Sequence, residues 1–354
     1  MPQNLLSIYA KSFNWASFFL PKKTYNQCSD LYDFCRTLDD IADKDQDLQV
    51  KRKLFNDFKQ DFINLVRILL LDEMWGPVNI LRQTKNYSGL SSRAQFEANV
   101  DDVERYDYVF VPNEHTLLNA LKFSKSKRFH ICMENPSIWS PSPEFLSNIG
   151  CIFTPFPEVI SSLSTNSKII QSYPCVPWFY DIDFSTQSGV SHVPINSRSE
   201  LSEMLTSSMP KKKKLLSIIV SSKNSGIGYE WRTRLATALK NYFGDLVDIY
   251  GFGHNPLANK KDALDQYLAT LVLENSSHPF YITEKIADAV LGWSMPIYCG
   301  SESISRLLPG YEWTINFGSD IDSCCLKVKK YLHKILTDST VLPSIRPIVL
   351  DRLN

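Results

Sequence analysis

Leu273-Glu274-Asn275-Ser276-Ser277-His278-Pro279-Phe280-Tyr281-Ile282-Thr283-Glu284-Lys285 is the densest polar cluster in the chain. It follows an apolar run, Tyr267 to Leu273, and leads into helically spaced residues that end at Gly292, so it reads as a strand-to-helix connection. The free N–H groups and positive dipole end of such a helix start suit an anion such as pyrophosphate. Thr283 is the expected N-cap, with Lys285 in the first turn. A lysine there opposes the dipole unless a bound anion offsets it. The same residues also read as a capped helix carrying a solvated Glu-Lys pair. A second cluster, Ser221-Ser222-Lys223-Asn224, follows the run Leu215 to Val220, and Arg232 and Arg234 lie on the next helix. Parallel strands bring both loops to one rim, so Arg232 and Lys285 could meet on one ligand. The guanidinium fork suits a diphosphate, although a helix arginine is more often simply solvated. A third group, Asp39, Asp40 and Asp43, spans one turn of a helix whose stripe is Leu31, Phe34, Cys35, Leu38 and Ile41.

These side chains need elements to hold them, and the chain reads as three regions. Residues 1–65 are helical, with Phe55, Phe58 and Phe62 on a second stripe. From Val66, short apolar runs at Ile68–Leu71, Tyr108–Val111, Phe129–Met133 and Cys151–Thr154 predict buried parallel strands, with a helix over Thr116–Phe123 between two of them. Residues 185–210 are serine-rich and lose all hydrophobic period, so they read as a linker. Lys211 to Lys214 read as its solvated lead-in to the next strand. Strands at Leu215–Val220, Val247–Tyr250, Tyr267–Leu273 and Pro296–Tyr298 then alternate with helices at Tyr229–Tyr242 and Thr283–Leu291. Two such sheets imply two Rossmann-like domains facing a cleft, with ligands beyond the carboxyl ends of the strands.

The 354 residues agree with two domains and a fragment, at roughly 150 per domain. Lys+Arg and Asp+Glu both number 38, so no global field draws the protein to nucleic acid or anionic lipid. No run approaches the roughly 20 apolar residues of a membrane span, and no secretory leader pattern opens the chain. The 8 cysteines lack metal spacing and are expected as reduced thiols of a cytoplasmic protein. The six histidines are dispersed, and His278 reads as a loop residue.

Residues of about 212–335 resemble the fucosyltransferases of glycosyltransferase family 10. The likeness rests on Leu216 to Asn224, Arg232 with its helix, Val247 to Gly253, Met295 to Ser301 and above all Glu274-Asn275-Ser276 with Tyr281-Ile282-Thr283-Glu284-Lys285. A weaker likeness covers 66–184, through Met133-Glu134-Asn135-Pro136 and Ile152-Phe153-Thr154. The resemblance implies an α/β protein of GT-B type, preceded by a short all-α segment. Its expected parts are 1–65 helical, 66–184 an acceptor-side Rossmann-like domain, 185–211 a linker and 212–354 a GDP-sugar-binding Rossmann-like domain. It further implies that Arg232 and Lys285 neutralise the donor diphosphate, while Asn275 and Tyr281 line the same pocket. Glu284 would contact either the donor sugar or the nucleotide ribose. Glu134, just beyond a strand and before Pro136, would be the general base; otherwise it is a strand-end carboxylate in a hydrogen-bonded turn.

The implied reaction is inverting transfer of fucose from GDP-fucose to a hydroxyl of a glycan acceptor, N-acetyllactosamine-like or a bacterial surface polysaccharide precursor. A transferase using another nucleotide sugar is the alternative. No cofactor and no obligate metal are expected, and no Asp-x-Asp metal motif is read in the donor domain. A lipid-linked acceptor would leave peripheral membrane association open. Residues of about 5–62 resemble a squalene/phytoene synthase through Tyr32-Asp33-Phe34-Cys35-Arg36-Thr37-Leu38-Asp39-Asp40-Ile41-Ala42-Asp43. Carboxylates at i and i+4 share a helix face and could hold Mg²⁺ on a prenyl diphosphate. The second aspartate-rich motif is missing: Asn79-Ile80-Leu81-Arg82 is similar to a fragment near it but lacks the acids. The segment is therefore expected to be a dead remnant or an accidental fusion, which leaves an inactive fusion protein as the reading from another class.

Overall fold

The computed structural model describes residues 47, 49–53, 66–71, 94–97, 103–163, 166–182, 208–222 and 227–353. The aspartate-bearing helix, Lys223, Asn224 and most of the serine-rich stretch lie outside them. The chain divides into two compact units, Met1–Leu65 and Val66–Asn354. In the first, residues 49–53 are helical.

The second unit contains two sheets whose pairings are all parallel. The first has the order β2-β1-β3-β4-β5-β6, with β1 Val66–Leu70, β2 Ala94–Glu97, β3 Tyr108–Phe110, β4 Arg128–Ile131, β5 Cys151–Thr154 and β6 Lys168–Gln171. The second has the order β11-β10-β9-β7-β8, with β7 Lys214–Ile219, β8 Val247–Tyr250, β9 Tyr267–Leu273, β10 Met295–Gly300 and β11 Thr314–Asn316. The continuous apolar runs became strands because a parallel strand is covered on both faces. The edge strands β2, β6 and β11 escaped sequence reading, since they are short and partly polar.

Among the helices are α1 Leu117–Ala120, α2 Pro143–Ser147, α3 Pro157–Ser162, α4 Ile227–Phe243 and α5 Lys285–Leu291. The chain then forms α6 Ile304–Leu307, α7 Ile321–Thr337 and α8 Val341–Leu353. The expected helix over Thr116–Phe123 shrinks to α1, where Thr116 is held back by bonds to Asn113. By contrast α4 buries Trp231, Leu235 and Leu239 as their spacing required. Cys324 and Cys325 lie buried in α7.

One core fills the first sheet around Leu69, Val109, Phe145 and Ile152. In the second, one face packs against α4 and α7 and the other against α5 and α8. Trp178 and Tyr180, beyond the last strand of the first sheet, pack into that second face with Leu264 and Ile286. Lys211 to Lys214 are not merely solvated. Lys212 Nζ donates to the carbonyls of Asp265 and Gly292 at 2.9 Å, and burial pulls its pKa down to about 8. Lys214 bonds the Asp248 carboxylate at 2.8 Å.

Candidate active site

In the second sheet the chain runs β7 to β8 on one side and β9 to β11 on the other. The carboxyl ends of β7 and β9 therefore form its topological switch point. β9 is almost wholly buried and delivers Glu274 into the interior at 0% exposure. Its carboxylate accepts from Thr283 N–H and Thr283 Oγ1, both at 2.8 Å, and from Lys285 Nζ at 3.0 Å. Gly300 makes room for it: a Cβ there would lie 2.5 Å from Glu274 Cγ and 2.6 Å from the Tyr298 hydroxyl. The protein's own carboxylate thus offsets Lys285 at the start of α5, where sequence reading looked to a bound anion. Thr283 is spent on Glu274, and the N-cap position passes to Glu284.

Lys285 is consequently a half-buried, paired cation. Burial works against its charge, but Glu274 and Glu284 outweigh that and hold its pKa above the ordinary lysine value. Arg232, expected at the donor diphosphate or else as a solvated helix arginine, is 4% exposed. Its Nη1 donates to Asn275 Oδ1 at 2.6 Å and to the Leu273 carbonyl at 3.2 Å, and its guanidinium lies 4.6 Å from the Tyr229 ring centre. Its buried Nε has no hydrogen-bond partner among the described residues. Desolvation lowers its pKa.

Two cavities meet here. A cavity of about 260 Å³ at the switch point is bordered by Ser221, Phe252, Arg232, Asn275 and Lys285. Phe252 stands 76% exposed beside it. Gly251 permits that turn, since a Cβ there would sit 2.1 Å from the Val220 carbonyl oxygen. A second cavity of about 460 Å³ lies between the carboxyl ends of β3 and β4 and the start of α5. Asn113, Glu114, Glu134, Trp139, Glu284 and Lys285 are on its wall. Lys285 borders both.

Glu134 follows β4 and stands against the second sheet: Tyr281 Oη donates to its Oε1 at 3.3 Å. Burial raises the pKa of Glu134, with Lys285 opposing the rise. Tyr281 itself is fully buried and borders neither cavity, so it positions Glu134 instead of lining the pocket as expected. Around it Phe156 stacks on both Tyr281 and His278, with ring centres 5.5 and 4.5 Å apart.

Glu284 faces the larger cavity, not the Arg232 cavity. Its Oε1 accepts from Lys260 Nζ at 3.2 Å, and that ammonium also bonds Asp288 at 2.5 Å. Burial alone would raise the Glu284 pKa; Lys285 and Lys260 together bring it below the ordinary value. Sequence reading missed Lys260, Asp288 and the structural part of Glu274. Only the i, i+4 spacing of Glu284 and Asp288 could have pointed to Asp288, and nothing local to Lys260 points to it.

No group of three or more His, Cys, Asp or Glu suited to a metal occurs among the described residues. The half of the chain with the second sheet does contain an Asp-x-Asp sequence, Asp320-Ile321-Asp322, that the sequence reading passed over. Asp320 is the N-cap of α7, accepting from Ser323 N–H at 2.9 Å, and neither aspartate borders the two cavities. It caps a helix.

Residues 209–336 match the family model for glycosyltransferase family 10 (fucosyltransferase), C-terminal part, in agreement with the resemblance read from the motifs. Residues 7–104 match the model for squalene/phytoene synthase, a stretch that reaches beyond residue 62 and takes in β1 and β2. Among curated proteins, the chain is 36% identical over 86 residues to the 3-galactosyl-N-acetylglucosaminide 4-alpha-L-fucosyltransferase FUT3 of Pan troglodytes (22% of this chain, 23% of that one). It is 40% identical over 68 residues to the 4-galactosyl-N-acetylglucosaminide 3-alpha-L-fucosyltransferase FUT6 of Homo sapiens (18% and 19%). The matched stretch thus spans about a fifth of the length of these relatives. Among solved structures, an alpha1,3-fucosyltransferase with GDP-fucose aligns with a TM-score of 0.44 and 21% identity, covering 82% of this chain and 81% of that one. T4 phage beta-glucosyltransferase aligns at 0.44 and 11%, covering 81% and 93%.

Proposed function

We propose that this protein is an inverting fucosyltransferase that moves fucose from GDP-fucose to a hydroxyl of a glycan. The observation that carries the reading is the position of Lys285, which borders both the Arg232 cavity and the cavity holding Glu134. On this reading the diphosphate lies against Arg232 and Lys285, where the buried Nε of Arg232 supplies an unused donor. The fucose then points past Lys285 into the larger cavity. Glu284 borders that side, which favours contact with the donor sugar over the ribose.

Glu134 accepts the proton of the acceptor hydroxyl as that oxygen bonds to the anomeric carbon. The bond from that carbon to the diphosphate oxygen breaks, and GDP departs with the electron pair. Arg232 and Lys285 stabilise the charge that grows on it. Attack opposite the diphosphate inverts the anomeric centre. With two cations at the diphosphate the reaction proceeds without a metal, so transfer in EDTA stays within about twofold of the untreated rate, each tenfold in rate being about 1.36 kcal/mol of barrier. We further propose a cytoplasmic location, with any membrane contact made through a lipid-linked acceptor.

The test is a panel of labelled nucleotide sugars with an N-acetyllactosamine-type acceptor. Transfer from GDP-fucose, lost by roughly 10²–10⁴-fold in Glu134→Gln while GDP still raises Tm, is the expected result. Transfer from another nucleotide sugar would move the reading to that donor. Full activity in Glu134→Gln would remove Glu134 as the base.

A further inference from the structure

The larger cavity has two unlike walls. Glu284 and Lys285 stand on the side of the second sheet. The side built by the first sheet is apolar at Ile131, Met133 and Trp139, with Asn113 and His115 at the rim. Trp139 is 39% exposed, although the ring is large enough to repay burial. Its backbone is held in a turn. The backbone N–H of Trp139 donates to the Asn135 carbonyl at 3.1 Å, as does that of Ile138 at 2.8 Å. Asn135 Oδ1 holds the same turn through Ser137 N–H at 2.9 Å and Ser137 Oγ at 2.8 Å. From behind, the buried His130 ring lies 6.1 Å from Trp139, centre to centre. The loop after β3 is tied to the chain ahead of α2, where Glu114 accepts from Ser142 N–H at 3.0 Å.

An indole on a hydrogen-bonded turn and open to a cavity, with hydrogen-bonding groups around it, is complementary to a pyranose. One sugar face consists of C–H bonds and the edge carries hydroxyls. The turn that holds Trp139 begins at the residue after Glu134, so a ring on the indole brings its hydroxyls to the proposed base. We propose that Trp139 is the platform for a hexopyranoside acceptor, whose C–H face stacks on the indole while a hydroxyl points to Glu134. The inference rests on the transferase reading for its catalytic part, but binding of the saccharide can be measured without turnover.

The probe is lactose, followed by saturation-transfer NMR on the full chain. The expected result is transfer of magnetisation to the C–H protons of one hexose face, lost in Trp139→Ala and largely kept in Trp139→Phe. In transfer assays with the same acceptor, Trp139→Ala raises acceptor KM roughly tenfold and affects acceptor KM far more than donor KM, a size consistent with losing one aromatic contact. Unchanged saccharide binding in Trp139→Ala, or none in the parent, overturns the platform. Saccharide binding that depends on Trp139 without any turnover of GDP-fucose would instead overturn the donor reading and leave the platform standing.

Discussion

Glu134, the base of the proposed mechanism, is held at the expense of the fold. Burial raises its pKa above the carboxylate value of 4.5, so the native state binds this proton more tightly than the unfolded chain does. Stability therefore falls as pH climbs from the unfolded to the folded pKa, and the penalty is complete above the latter. Glu134→Gln removes the charge but keeps an acceptor for Tyr281. Its Tm should exceed the parent's at pH 7–8, with the gap closing toward pH 4, by scanning calorimetry across that range. The pH–rate profile reads the same group from the other side, since a base must be ionised: transfer falls as pH drops through that raised pKa. Lys285 behaves differently. Lys285→Met leaves Glu274 charged and sealed from water, which should lower unfolding free energy by about 3 kcal/mol in urea titrations. Adding Glu274→Gln should restore part of the stability and none of the proposed diphosphate binding. Equal loss in both variants would mean that the Glu274–Lys285 pair carries no such coupling.

At the scale of elements, the site depends on loops that leave parallel strands at one rim. β9 sets Glu274 and Asn275, α4 brings Arg232 across to them, and β10 must end in a residue without a side chain. Gly300→Ala forces a Cβ toward the Glu274 side chain and the Tyr298 hydroxyl. It should cost about 1–3 kcal/mol by denaturant unfolding, the range for overpacking a filled interior, and weaken the proposed GDP binding by displacing the partner of Lys285. Strands β1, β3, β4, β5, β7, β8, β9 and β10 were legible in the sequence because buried parallel strands are nearly uniformly apolar. The edge strands β2, β6 and β11 were not, because partial solvation lets polar residues in. The short α1 was overextended on paper, since hydrophobic spacing carries no information about the Asn113 bonds that hold Thr116 back.

For the molecule as a whole, the junction between the two sheets matters most. The chain leaving the first sheet lays Trp178 and Tyr180 into the second, and Asp288 on α5 accepts from Phe179 N–H at 2.7 Å and Tyr180 N–H at 2.8 Å. The same carboxylate bonds Lys260, which in turn holds Glu284. Burial raises the pKa of Asp288, with Lys260 opposing it. One residue therefore connects the crossover strap to a carboxylate of the candidate site. Asp288→Ala should lower stability by about 3 kcal/mol, and amide exchange should quicken first at Phe179 and Tyr180. Protection there equal to the parent's would show that the strap is held by its apolar packing alone.

The sequence by itself determined the alternation of strand and helix, the two-sheet architecture and the family likeness of residues 209–336, because apolar runs and dense local motifs are properties of neighbouring residues. It also named Arg232, Asn275, Lys285, Glu134 and Glu284 as residues of one site. Only the tertiary structure decided how they are partnered. Glu274 sits under Lys285 as its counter-charge, Tyr281 reaches Glu134, and Lys260 joins Glu284 to Asp288. Hydrogen bonds and ion pairs between residues distant in the chain depend on where the sheets bring their loops, and a linear pattern holds no such distances.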